Sequence, residues 1–126
     1  MKNKLFILLF LSLIYGCQKK PFDYRNKFIG NYNFSVHKRT WSTLGPVTET
    51  DYNYTGTISY GNYNDNAINI IFLDDKNVEP ILYEDGSLKF QALKGEFEST
   101  KKLHFLLGNY ALGGGTTYEV SGEKIK

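Results

Sequence analysis

The sequence predicts an all-β domain: a single antiparallel meander that closes into a small barrel or, failing that, a two-sheet sandwich. Three observations predict it. Downstream of Cys17, apolar residues alternate with polar ones at period two, clusters of Gly, Pro, Asn and Asp punctuate the alternating segments, and no stretch keeps a helical period for three turns. Short strands joined by brief turns pack as up-and-down barrels or as sandwiches. At 126 residues the chain has room for one compact core.

Residues 1–16 come before that domain. Lys2-Asn3-Lys4, the apolar run Leu5 to Ile14 and then Tyr15-Gly16-Cys17 follow the charged, apolar and small-residue order of an export signal. The run is about half the length that a spanning helix needs. Ile14-Tyr15-Gly16-Cys17 resembles the lipobox of bacterial lipoprotein signal peptides, although Tyr15 is bulkier than the usual residue there. The resemblance implies diacylglycerol on the Cys17 thiol, cleavage after Gly16 and acylation of the new amino group. Cys17 is also the sole cysteine, so an exported chain that can form no internal disulfide carries its one thiol directly after the signal. Two or three acyl chains anchor stably where one is marginal. Gln18, rather than aspartate, follows the cysteine, which by resemblance to Gram-negative lipoproteins points to the outer membrane. The abundance of Asn, Lys, Ile and Tyr resembles small lipoproteins of the Bacteroidetes, and which leaflet the protein faces stays open.

Residues 17–27 are polar and contain Pro21, the composition of a lipidated tether, and the domain is expected over residues 28–126. Tyr32, Phe34 and Val36 face one way in the first strand, opposite Asn31, Asn33, Ser35 and His37. After the Gly45-Pro46 turn signal, Tyr52, Tyr54, Ile58 and Tyr60 share a face that Gly56 interrupts. Ile68, Ile70 and Phe72 carry Ala67, Ile71 and Leu73 on their other face, the pattern of a central strand covered on both sides. Pro80 confines residues 78–83 to an edge or a bulge. Asp85-Gly86 reads as a tight hairpin turn leading to Leu88, Phe90 and Ala92. Leu103, Phe105 and Leu107 follow, then a glycine-rich loop over residues 108–115, then Tyr118 and Val120 in the last strand.

Phe28-Ile29-Gly30-Asn31-Tyr32 loosely resembles the start of lipocalin-type barrels, in which a glycine and an aromatic residue follow an apolar one. Lipocalins usually carry tryptophan where Tyr32 stands, and the match spans about five residues. It implies a barrel and no particular ligand.

Little in the sequence points to catalysis. Two of the 15 Lys and Arg residues fall in the leader, so the rest of the chain carries 13 basic against 13 acidic residues. A neutral domain gives no electrostatic reason to expect nucleic acid. The one thiol is committed to lipid and Gly-x-Ser-x-Gly does not occur, so no catalytic residue is assigned. His37 and His104 oppose apolar faces and read as surface residues. Asn62 to Asn66 alternates like a calcium loop, but Ala67 and Leu73 stand where glycine and glutamate belong, so a turn is expected and no metal. The glycines at 113–115 lack the lysine of a phosphate loop, and no cofactor is implied.

What remains is the tyrosine face. Tyr52, Tyr54 and Tyr60 either fill a small core or line the mouth of a barrel and orient an apolar or ring-shaped ligand. Gly56 beside them implies either a bulge or a cavity. Two functional readings follow. The first is a monomeric, non-enzymatic envelope lipoprotein, held to the membrane by its lipid, whose β domain binds an envelope protein or a small ligand. The alternative is a surface accessory protein that binds glycans through exposed aromatics.

Overall fold

The structure is a computed structural model and describes residues 23–125; the leader, the lipobox and Cys17 lie outside the described residues. Nine strands form one antiparallel sheet: β1 (Gly30–Ser42), β2 (Gly45–Tyr60), β3 (Ile68–Leu73), β4 (Lys76–Val78), β5 (Ile81–Leu82), β6 (Ser87–Phe90), β7 (Leu93–Ser99), β8 (Lys102–Ala111) and β9 (Gly114–Lys124). Their order is β4-β3-β2-β1-β9-β8-β7-β6-β5, and the sheet curls through 270° into a half-barrel. The chain is thus an all-β antiparallel meander, and a single sheet rather than two packed ones.

The period-two alternation becomes the inner face. Phe34 of β1 lies in register with Tyr54 of β2 and Gly122 of β9, and Val36 with Tyr52 and Val120. Tyr32, Phe34, Val36, Ile58, Ile68, Ile70, Phe72, Leu103, Phe105 and Val120 are fully buried there. Glycines make room for the rings: a side chain at Gly122 would meet Phe34, and one at Gly95 would meet Phe105. Phe72 presents its edge to Phe105 and Tyr118 at ring-centre distances of 5.5 and 5.7 Å, the geometry that aromatic quadrupoles favour.

One end of the half-barrel is closed. Ala67 bridges to Ile81, the Ile68 amide donates to the Pro80 carbonyl at 3.0 Å, and the Leu82 amide donates to Asn66 at 2.8 Å, so β3 and β5 meet there. Residues 24–27, expected in the tether, form a 3-10 turn capped by Asp23 that lies across this end. Arg25 is buried, pairs with Asp23 at 2.6 Å, donates to the Ala67 carbonyl at 2.7 Å and stacks over the Tyr60 ring. Tyr24 donates to the Leu82 carbonyl and Tyr32 to the Phe28 carbonyl. Burial pushes the Tyr32 hydroxyl up to about 12.

The other end is open. β1, β2, β8 and β9 run on past the last buried residues as a four-stranded blade whose two hairpin tips are joined by a hydrogen bond from the Thr43 amide to the Gly113 carbonyl. Leu44 and Leu112 at those tips are fully exposed.

Four local expectations need correction. The first hairpin turns at Thr43-Leu44, and Gly45-Pro46 begins β2. The supposed loop over residues 108–115 is mostly strand, because its glycines let chains approach: a side chain at Gly114 would strike the Trp41 carbonyl, and one at Gly115 the Trp41 ring. β3 is next to an edge strand rather than central; the short β4 covers one side and the curl of the sheet buries its inner face. At Asp85-Gly86 the chain does reverse, but only Gly86 takes a positive φ, of 91°. A turn from Tyr83 to Gly86 followed by a left-handed glycine is the bulged form of hairpin. Pro80 meets its expectation: it lies between β4 and β5, the two edges of the sheet.

Candidate functional site

Among the three tyrosines predicted to share a face, the structure brings two together and separates the third. Tyr52 and Tyr54 lie on the inner side of β2 where it passes the open end of the half-barrel. Tyr60 is at the closed end, donating to the Asn26 side chain beneath the Arg25 guanidinium. Eight and six residues of extended chain separate it from Tyr52 and Tyr54, more than a small ligand spans.

Tyr52 and Tyr54 line a groove of about 370 Å³ with Lys38, Tyr118, Leu73, Asp74, Asp75 and Lys76. Its origin is a divergence of strands. β3 pairs with β2 only from Tyr60 to Thr57, and its ladder with β4 then shifts register between Ile71 and Leu73, so the β3–β4 turn swings away from β2. The gap holds three aromatic rings, two carboxylates and two ammonium groups. Lys38 places its ammonium 5.8 Å from the centre of the Tyr118 ring. Partial burial raises the Tyr54 hydroxyl above its ordinary value, and a hydrogen bond to Asp74 and the charge of that carboxylate raise it further. Such a mixture of apolar ring faces and a few convergent polar groups, at a volume within the range of ligand sites, suits a small ring-bearing ligand.

Gly56 supplies neither of the features expected of it. It is buried, and a side chain there would come within 1.9 Å of the Ile71 carbonyl oxygen and 2.9 Å of the Phe34 ring. It is a point of close packing beneath the groove.

A larger cleft, about 480 Å³, lies on the other flank, where Ala92, Leu93, Leu106 and Leu107 line it with Gln91, Lys94, Gly108 and Thr117. Its charged lining is Lys94 alone, so it offers contact area without the converging polar groups that orient a ligand.

On the convex face, His37 contacts Asp51 at 2.6 Å and Glu49 at 3.5 Å, and Arg39 reaches Glu49 at 3.9 Å. Donating a hydrogen bond to Asp51, and then one to Glu49, raises the His37 pKa. His104 lies 3.5 Å from Glu119, which stands opposite His37 in the β1–β9 ladder. The two histidines therefore flank one carboxylate, partly exposed, as surface residues were expected to be. Among the described residues no cluster of three or more His, Cys, Asp or Glu side chains could hold a metal ion.

Sequence reasoning missed three contributors. Tyr118 was assigned to the last strand's inner face, and only the β1–β9 register brings it beside Lys38 and the groove. No spacing in the sequence signals that the turn carrying Asp74 and Asp75 lies across the groove from Tyr54.

No family model, curated protein or solved structure matches this chain in the comparisons made with each.

Proposed function

We propose that this chain is a non-enzymatic lipoprotein of the cell envelope, anchored to the outer membrane through Cys17, whose β domain holds a small ligand in the groove at the open end. The observation that carries the ligand reading is the convergence of Tyr52, Tyr54 and Tyr118 with Asp74, Asp75, Lys38 and Lys76 on one opening. The leader, the short apolar run and the single cysteine carry the anchor reading.

A second reading, a surface accessory protein that binds glycans, draws on the carboxylates. Sugar rings stack on tyrosine faces while their hydroxyls donate to carboxylate oxygens. Asp74 beside Tyr54 supplies both in one place. Titration calorimetry of the full-length protein with neutral oligosaccharides and with a hydrophobic dye separates the readings. Saturable sugar binding lost in Tyr54→Ala supports glycan handling, and dye binding lost in that variant supports an apolar small ligand. Absence of both removes the groove as a ligand site. Radiolabelled palmitate incorporated by the wild type and absent from Cys17→Ala tests the anchor separately; label that persists in the variant contradicts it.

A further inference from the structure

We propose that the free edge of β2, at Glu49, Asp51 and Asn53, is a docking site for an extended basic segment of another protein, which adds to the sheet as a tenth strand. This goes beyond the ligand reading, and the docked segment would border the groove at Tyr52 and Asn53, which line it.

Backbone direction comes first. In an antiparallel strand the amide and carbonyl of each residue point to the same side, and successive residues alternate sides. The Gly61 amide donates to the Ala67 carbonyl, on the β3 side of β2. Counting back along β2 in twos, Asn53, Asp51 and Glu49 face that same side. An independent hydrogen bond agrees: Ile125 donates to the Asn31 carbonyl, so odd residues of β1 face β9 and even ones face β2. Their even partners on β2, Thr50, Tyr52 and Tyr54, therefore bond to β1. β3 occupies the other side of β2 only at Thr57–Tyr60. Among the described residues no strand pairs with the edge over Glu49, Asp51 and Asn53, which leaves three consecutive amide and carbonyl pairs directed outward. An edge of this kind is a template for another strand, and proteins that do not use one guard it.

The side chains choose the occupant. Glu49 and Asp51 project from the edge strand on the convex face, and their side chains are 56% and 84% exposed. The cations they contact, His37 and Arg39, lie one strand further in, so the outermost charge on this edge is negative. A second copy of the chain, paired antiparallel about Thr50, would set Glu49 against Asp51 twice, and like charges directly opposed destabilise a sheet. A strand carrying Lys or Arg at alternate positions has the complementary charge. Its other face would lie beside Thr50 and Tyr52, where small and aromatic residues fit.

The test uses the full-length protein in neutral detergent and three synthetic twelve-residue peptides. One alternates lysine with threonine and valine, the second is the same peptide N-methylated at alternate residues, and the third has glutamate for lysine. Titration should show the lysine peptide binding at least tenfold more tightly than either control, and site-resolved hydrogen exchange should slow at the Glu49, Asp51 and Asn53 amides on saturation. Glu49→Pro, which removes an outward amide and leaves the β1 ladder intact, should weaken binding at least tenfold, and Asp51→Asn severalfold. If Glu49→Pro does not fold, the N-methylated peptide carries the same test. Equal binding of the lysine and N-methylated peptides, equal binding of the glutamate peptide, unchanged exchange at the three amides, or protection of those amides by self-association would each overturn the proposal.

Discussion

The closed and open ends of the half-barrel are built from the same strands and differ in what their inner faces meet. At the closed end, Tyr32, Phe34, Ile58, Ile70, Phe97 and Leu103 belong to one filled interior, and the Arg25 turn lies across that end. At the open end, Thr40, Thr48 and Thr116 continue the same inward rows, but they are left uncovered among the described residues. Strand pairing and surface side-chain contacts hold the blade, whereas burial holds the base. The buried core and the proposed recognition sites thus lie at different ends of a single sheet.

Substitutions break this comparison most sharply where an inward side chain is large. Phe105→Ala should cost about 3–5 kcal/mol in denaturant unfolding, whereas Tyr52→Ala, on the same row and 39% exposed, should cost less than about 1 kcal/mol. Equal losses would erase the distinction between the ends.

Arg25→Ala should cost about 3 kcal/mol, because it leaves the Asp23 carboxylate, 8% exposed, without its cation and frees the Ala67 carbonyl. A loss below about 1 kcal/mol would mean that the turn only rests on the base.

Gly56→Leu lies at the boundary and should cost about 1–3 kcal/mol, since its Cβ meets a backbone oxygen that cannot rotate away. The same variant should also disturb the groove above it by pushing on Ile71.

The smallest effect belongs to the convex face of the blade. The folded state raises the His37 pKa, so its pairing with Asp51 favours the fold fully below the unfolded value near 6.5 and fades as pH rises through the raised value. NMR titration should place the His37 midpoint above 6.5, and Asp51→Asn should lower it.

The same contrast explains what could be read from the chain. Tyr32, Phe34 and Val36, or Ile68, Ile70 and Phe72, announce strands because one face is buried and the residues record it. Strand continuations over 38–42, 45–50 and 108–115 were not legible, because a largely exposed blade leaves no apolar alternation. Arg25 read as a solvated tether residue, since its burial depends on Asp23 beside it and on Ala67 far along the chain. The tyrosine face was legible as a face. That Tyr60 leaves the group and Tyr118 joins it depends on which end of the curled sheet each occupies, and on where β3 turns away.

Site-resolved native-state hydrogen exchange on the full-length protein tests the two-ended account most directly. Amides of Phe34, Ile70 and Phe105 should exchange only through global unfolding. Those of Glu49, Asp51 and Asn53 should exchange orders of magnitude faster, at the low end of local stability. Protection of these three equal to that of the core, in the protein alone, would contradict the division between a closed base and an open blade.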